Sequence, residues 1–481
     1  MSGQTVEGAL PSARRYYPPS WLGWAAATGA AGIAAAWGAA PFVILALILA
    51  VATATGVLHS PLVFLCLITA VSGLGLGWTD AAALSLGGVS INVNGLQWAL
   101  IMAAAAVILV RQGAATVPYP LRGWLALTAL AGAGILWAPD RFEAMKQFLL
   151  YLGPVLTGAV AYSVADRRGM AALQAALYAG AALAIGLGVV MTLGGDLLGG
   201  PLDPDGRPMH RALGTFLLPV TALAMARMRF GDGRQVLLLV VILLAVVASE
   251  SRTTLAAMAL LGGLVALGSG WRVRAAVVAT AVLGTAVVLS YEPLRERVFA
   301  DSRTGFTAQV GLSGRGESAE LQVGGLQLSG RGMIWIQTAY HGMRAPWLGH
   351  GTGSSTKFVA ERTRGEALFP HNEYLRVFHD FGAVGVAALL AAFGMVLISM
   401  RRIRRHAASR ETRVLAYAAS LSWIGFAFIA VFDNPLGYFV FFTHNVFLLT
   451  ALALRSARMD DTTVQARVLV GQATAPTGRP A

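Results

Sequence analysis

The 481-residue chain is 56% hydrophobic and only 12% charged. A soluble globular protein carries about one-quarter charged residues, so both a water-soluble chain and a disordered one are excluded. The balance is basic, 36 Lys and Arg against 23 Asp and Glu, and Lys146 and Lys357 are the only lysines; the arginine excess reads as membrane topology rather than nucleic-acid binding. A single cysteine, Cys66, excludes a disulfide framework and any cysteine-based zinc site.

A bilayer core of about 30 Å needs about 20 apolar residues per helix. Such runs lie near 21–38, 40–58, 60–77, 93–110, 121–138, 145–164, 170–193, 211–228, 235–249, 252–269, 275–291, 374–400, 414–432 and 437–454. They predict an all-α polytopic membrane protein of about 14 transmembrane helices. The range extends down to about 12, because the pairs meeting near 38–40 and 58–60 are tight enough for one re-entrant span. Arg14 and Arg15 precede a long Ala/Gly-rich span without a cleavage region, so no cleavable signal is expected. Arg111, Arg122, Arg167, Arg168, Arg227, Arg229, Arg234, Arg272, Arg274, the cluster over 401–413, Arg455 and Arg458 all fall on the same side as Arg14. By the positive-inside rule that side is cytoplasmic, with both termini inside.

The chain then divides into a cytoplasmic N-terminus over 1–20 and a bundle of about 11 spans over 21–291. A loop subdomain follows on the opposite side over 292–373, then about 3 spans over 374–455 and a polar, disordered tail over 456–481. The loop carries an amphipathic helix candidate, Met333–Met343, which ends before Pro346. It also holds two copies of Ser-Gly-Arg-Gly, at 313–316 and 329–332.

Ionisable groups inside a bilayer are costly and usually functional. His444 is the main titratable residue well inside a predicted span, which argues against an ion-coupled transporter. The charges collect at the outer membrane boundary instead. Arg211 lies where a loop meets a span, and an interfacial snorkelling arginine is the alternative reading. Arg252 sits at an outer hairpin, with pairing to Glu250 as its alternative. Arg331 precedes the loop helix, whose exposed N–H groups together with a guanidinium would form an anion site; a solvated arginine is the alternative, and Arg315 in the earlier copy competes for the role. Pro370-His-Asn-Glu-Tyr-Leu-Arg-Val-Phe-His-Asp380 brings His371, Asn372, Glu373, Tyr374, Arg376, His379 and Asp380 to a span mouth. Asp433 and His444 could line the same cavity, though a turn residue and a satisfied buried histidine are the simpler readings. Gly349-His-Gly-Thr-Gly353 lacks the Lys-Ser/Thr ending and the preceding strand of a phosphate loop. No Gly-x-Ser-x-Gly elbow occurs. His371 and His379 would lie about 80° apart on a helix, poor for a shared metal.

Taken in order, Arg-Ala-Leu-Gly-Thr-Phe (211–216), Glu-Ser-Arg-Thr (250–253), Ser-Gly-Arg-Gly-Met-Ile-Trp (329–335), the Pro346…Gly353 stretch and Pro-His-Asn-Glu-Tyr-Leu (370–375) resemble the O-antigen ligase and Wzy-type polysaccharide polymerase superfamily. The resemblance covers roughly 205–400 by motif. Leu218-Pro219-Val220 departs from the family's Asn-Pro-Asn.

What the resemblance implies is a GT-C-like inner-membrane glycosyltransferase working on the periplasmic face, without metal or cofactor. The donor would be an undecaprenyl-pyrophosphate-linked glycan and the acceptor a glycan or lipid A–core. Membrane lipid and other polysaccharide export proteins would be further partners, with no nucleic acid. His371 matches the family's essential histidine, and Arg211, Arg252 and Arg331 its basic positions; Asn372, Tyr374, Glu373 and Arg376 would support them. The expected activity is inverting polymerisation of O-antigen or exopolysaccharide repeat units. Ligation to lipid A–core is the alternative within the family, and a lipid-linked glycan flippase or exporter the alternative outside it.

Overall fold

The computed structural model describes residues 61–72, 84–86, 89–91, 101, 105, 117–194, 212–290, 322–323, 326–327, 331–365, 367–438 and 442–473. Arg211, Arg315 and the spans expected near 21–38 and 40–58 lie outside the described residues, as does nearly all of the span near 93–110. The described elements are helices: α1 (Pro61–Val71), α2 (Arg122–Gly134), α3 (Arg141–Val164), α4 (Arg167–Gly194), α5 (Ala212–Arg229), α6 (Gln235–Ala248), α7 (Arg252–Leu267), α8 (Trp271–Ser290), α9 (Arg331–Gly342), α10 (Ser354–Arg362), α11 (Glu373–His406), α12 (Arg410–Phe432) and α13 (His444–Ala473). Two minimal antiparallel hairpins accompany them. One pairs β1 (Leu84–Leu86) with β2 (Val89–Ile91), and the other pairs β3 (Gln322–Val323) with β4 (Leu326–Gln327). In sequence each is joined by Gly-Gly, the dipeptide that tight two-residue turns favour.

Among the described residues, α3, α4, α11 and α12 are long and apolar enough to cross a membrane, and α1, α6 and α7 are shorter apolar helices. The chain is a helical membrane protein. Helix contacts rely on small residues, as expected where lipid removes the hydrophobic drive between helices. A Cβ on Gly123 of α2 would meet Ala392 of α11 at 2.8 Å, and one on Gly425 of α12 would meet Leu218 of α5 at 2.6 Å. Aromatic rings fill the centre: Trp124 and Trp423 lie 5.2 Å apart, Phe447 packs 5.0 Å from Trp423, and Phe393 and Phe426 close the cluster.

Several of the described arginines gather at one end. Arg227 at the end of α5 pairs with Glu411 at the start of α12 at 3.1 Å, so these helices run antiparallel. Arg229 reaches Ser269 just past α7, and Arg455 of α13 donates to the Ala165 carbonyl between α3 and α4. At the opposite end, Gly214 of α5 lies against Ser251 and Thr254 at the start of α7. The Arg-Ala-Leu-Gly-Thr-Phe and Glu-Ser-Arg-Thr segments, distant in sequence, therefore touch.

Two expectations need correcting. The span expected as one helix over 374–400 is broken at Gly382, whose φ of 63° and ψ of −159° are non-helical. Here the chain lies against the 346–351 loop, so closely that a Cβ on Gly382 would collide with the Trp347 carbonyl. The His379 and Asp380 carbonyls accept from His350 and Gly351, and the Ala383 and Val384 amides donate to Pro346 and Trp347. At about 1.5 Å per residue an unbroken 34-residue helix would be about 51 Å long, far more than a bilayer needs. The break leaves 383–406 as the membrane-length piece. Secondly, α13 continues to Ala473, well into the segment expected to be a disordered tail from 456. Residues 464–470, Val-Gln-Ala-Arg-Val-Leu-Val, contain no helix breaker, and the first proline after them is Pro476.

Candidate functional site

Three elements converge at the end of the bundle opposite the Arg227–Glu411 pair. The first is the head of α11. Asn372 is its N-cap, its side chain accepting from the Leu375 amide at 3.0 Å, as a short polar side chain does at a helix start. His371 just before it has φ 52°. Among the described non-glycine residues only Glu250, Arg364 and His371 have positive φ, a conformation costing about 1–3 kcal/mol for such residues.

The second element is the end of α12. His371 Nδ1 lies 3.1 Å from Asp433 Oδ1, with side chains 31% and 19% exposed. Desolvation pushes the Asp433 carboxyl up, but the hydrogen bond and charge of His371, the Arg331 charge and the Asn434 amide together hold it below the usual carboxylate range. Carbonyls at a helix end carry partial negative charge, and the third element answers it. From the first residue of α9, the Arg331 guanidinium donates to the Phe432 carbonyl, one residue before Asp433. One turn along α9, the Trp335 indole N–H donates to the Pro370 carbonyl at 2.7 Å, one residue before His371. Imidazole, carboxylate and guanidinium are brought together from residues 331, 371 and 433.

Arg252 stands at the same end. Gly425 of α12 lies beside Leu218 of α5 and Leu261 of α7. At about 1.5 Å per residue, the start of α5 lies about 9 Å beyond that level, the end of α12 about 10 Å and the start of α7 about 13 Å. All three point the same way, and Arg252, half-buried, heads α7.

The other expected residues are placed differently. Tyr374 donates to the Ala427 carbonyl at 3.0 Å, bracing α11 against α12. Glu373 and Arg376 form a buried pair with Nε–Oε1 at 2.8 Å and exposures of 0% and 1%. Arg376 also reaches Gln147 at 3.4 Å and the Tyr151 hydroxyl at 3.2 Å, both on α3. His444 is fully buried between Thr69 and Thr157, at 3.1 and 3.3 Å. Its place is inside the bundle, between α1 and α3.

The glycine-rich 349–353 stretch is filled by the protein's own carboxylate. Asp380 accepts from the Gly353 amide at 3.0 Å, the Ser355 amide at 2.8 Å and the Ser354 hydroxyl at 3.0 Å, which satisfies the start of α10. Beside it lies a group that motif reading passed over. His341 of α9, His350 of the loop and His379 of α11 each offer a ring nitrogen within 4.8 Å of the other two. Desolvation, followed by the neighbouring His350 and His379, Arg344 and Arg362, depresses the His341 pKa to about 4. No short spacing links 341, 350 and 379; the available signal was that four of the chain's eight histidines lie between 341 and 379.

Residues 237–390 match the family described as O-antigen ligase. That segment is similar to the O-antigen ligase family. It covers about a third of the 481-residue chain, from α6 to the middle of α11. It includes Arg252, Arg331, His371 and the three-histidine group, whereas Asp433 and His444 lie beyond it. No curated protein matches the chain. The matched segment therefore contains His371, Arg252 and Arg331, and the carboxylate facing His371 comes from the helix that follows.

Proposed function

We propose that the protein is an inverting glycosyltransferase that moves a glycan from an undecaprenyl-pyrophosphate donor to a sugar hydroxyl, first of all polymerising O-antigen or exopolysaccharide repeat units. The observation that carries this reading is His371 Nδ1 at 3.1 Å from Asp433, with Arg331 bound to the adjoining Phe432 carbonyl. A carboxylate on Nδ1 selects the tautomer with Nδ1–H and leaves the Nε2 lone pair as base. Nε2 takes the acceptor hydroxyl proton as that oxygen attacks C1 of the donor sugar. The C1–O bond to the pyrophosphate breaks from the opposite face, and its electron pair stays on the phosphate oxygen. Inversion follows from this single displacement.

Arg331, Arg252 and Arg211 neutralise the departing charge, since guanidinium pairs bidentately with phosphate oxygens. One such preorganised contact contributes about 3 kcal/mol in a partly dry site, so the transfer step itself uses no metal. Asn372 and Tyr374 hold the backbone of His371 in place, and Glu373 with Arg376 anchors α11 beneath it. The strained backbone at His371 fits this role, because such conformations persist where the side chain is needed.

The chain would sit in a bacterial inner membrane with about 14 spans. Both termini would be cytoplasmic, the 292–373 loop subdomain would be periplasmic, and the polyprenyl tail would lie in the hydrocarbon. The family description favours a second reading, ligation of the finished glycan to lipid A–core. Purified protein incubated with a lipid-pyrophosphate repeat unit separates the two on a gel. A ladder without lipid A–core marks a polymerase, and product only with lipid A–core marks a ligase. Failure with both, in folded protein, refutes the transferase reading. A flippase or exporter would leave lipid-linked chains growing in cells that carry His371→Ala.

A further inference from the structure

We infer that His341, His350 and His379 form a binding site for a divalent first-row transition metal of the Zn²⁺ type, which clips α9 and the 346–353 loop to α11. Three neutral imidazoles are the donor set such ions favour, and hard Mg²⁺ or Ca²⁺ would not choose them. The ligands come from three separate segments, and the ring nitrogens lie within 4.8 Å of one another. The His341 Nδ1 to His379 Nε2 distance is already 2.9 Å. Tetrahedral zinc with bonds of about 2.0–2.1 Å places its ligand nitrogens about 3.3 Å apart, and the His350 ring, stacked on His341 at 4.4 Å, turns to bring its lone pair onto the shared ion.

The outer contacts carry the argument further. A metal-bound histidine characteristically has its second ring nitrogen fixed by a carboxylate, a carbonyl or a similar partner. His379 Nδ1 lies 3.1 Å from the Ser354 hydroxyl, which in turn donates to Asp380 at 3.0 Å. His350 Nε2 donates to the His341 carbonyl at 3.0 Å, which leaves Nδ1 as its open nitrogen. Without an ion, His341 Nδ1 and His379 Nε2 must share a proton; a metal replaces that proton and uses both lone pairs. His379 is fully buried whereas His341 and His350 are half-buried, so the site is anchored on one side and reachable from the other. Asp380 supplies the nearby negative charge, while Arg344 and Arg362 act against a bound cation and limit its affinity.

The placement assigns the ion a structural task. His341 lies ten residues after Arg331 on α9, about 15 Å along the helix, and His379 lies eight residues after His371, about 12 Å along α11. The ion fastens one end of this helix pair while the transfer site occupies the other.

The test uses full-length, tag-free protein in detergent, stripped with EDTA and titrated with Zn²⁺. Bound metal is measured by elemental analysis after gel filtration, and Tm is measured with and without EDTA. We expect one zinc per chain and a Tm that falls on stripping and recovers on adding Zn²⁺. His341→Ala and His350→Ala should weaken binding at least tenfold and abolish the EDTA effect on Tm. Ser354→Ala, which leaves all three ligands in place, should weaken binding about tenfold. His371→Ala should bind like wild type. A stripped wild-type protein that takes up no zinc at tenfold excess, or that binds equally well with both His341 and His350 replaced, would overturn the inference. The paired alanine variants lie on the half-buried side, and a gel-filtration profile matching wild type shows that they are folded.

Discussion

His371 and the Glu373–Asp380 stretch are neighbours in sequence but differ in what surrounds them. His371 is partly exposed, faces Asp433 on another helix and sits on a strained backbone. Glu373, Arg376, His379 and Asp380 are all buried and bound to other parts of the protein. The polar density at this span mouth is therefore two things: a partly exposed point where His371 meets Asp433, and a buried network that holds the surrounding loop, α3 and α10 together. A charge close to His371 in sequence does not by that fact share its surroundings.

Substitutions can break that contrast. The largest effect is expected from His371→Ala, which should lower glycan transfer by about 10²–10⁴-fold while Tm stays within a degree or two; a gel-based rate measurement beside thermal unfolding checks both. Arg376→Met should do the reverse and leave Glu373 as an unpaired buried charge. Such a loss costs about 3–5 kcal/mol and should appear as poor yield and a depressed Tm. The double variant Arg376→Met with Glu373→Leu should recover part of that stability, because the stranded charge is gone.

Asp433→Asn sharpens the exposed side of the comparison. It should reduce transfer by about 10–10²-fold by releasing the imidazole tautomer, and lower Tm at neutral pH through the loss of the carboxylate hydrogen bond. The carboxyl pKa is lowered in the folded protein. Its stabilising contribution is therefore complete above the ordinary aspartate value of about 3.9 and disappears as pH falls through the lower folded value. Tm curves of wild type and Asp433→Asn should converge below about pH 4; a gap that persists unchanged would refute the pairing. The smallest effect is expected from Trp335→Phe, which removes one hydrogen bond to Pro370. It should cost about 0.5–1.5 kcal/mol and raise KM more than it lowers kcat, because it loosens the seat of His371 without touching its partner.

Much of the fold is legible in the sequence. The starts and ends of α2 to α8 follow apolar runs and arginine positions, and α9 matches the Met333–Met343 amphipathic pattern to within two residues. The roles of His371 and Arg331 are suggested by their position at a span mouth and at a helix start. Asp433 carries no local signal, since an Asp-Asn-Pro turn after a helix is what any chain might use. Arg376 reads like His371 in composition, and only its contacts to Glu373, Gln147 and Tyr151 separate the two.

The chain by itself determined that this is a helical membrane protein, because bilayer thickness and charge cost act on each segment independently. Only the tertiary structure decided the break at Gly382, the meeting of residues 331, 371 and 433, and the three histidines gathered behind them. Those outcomes depend on which helix ends share a level and how closely backbones approach, and such relations exist between segments rather than within any one of them.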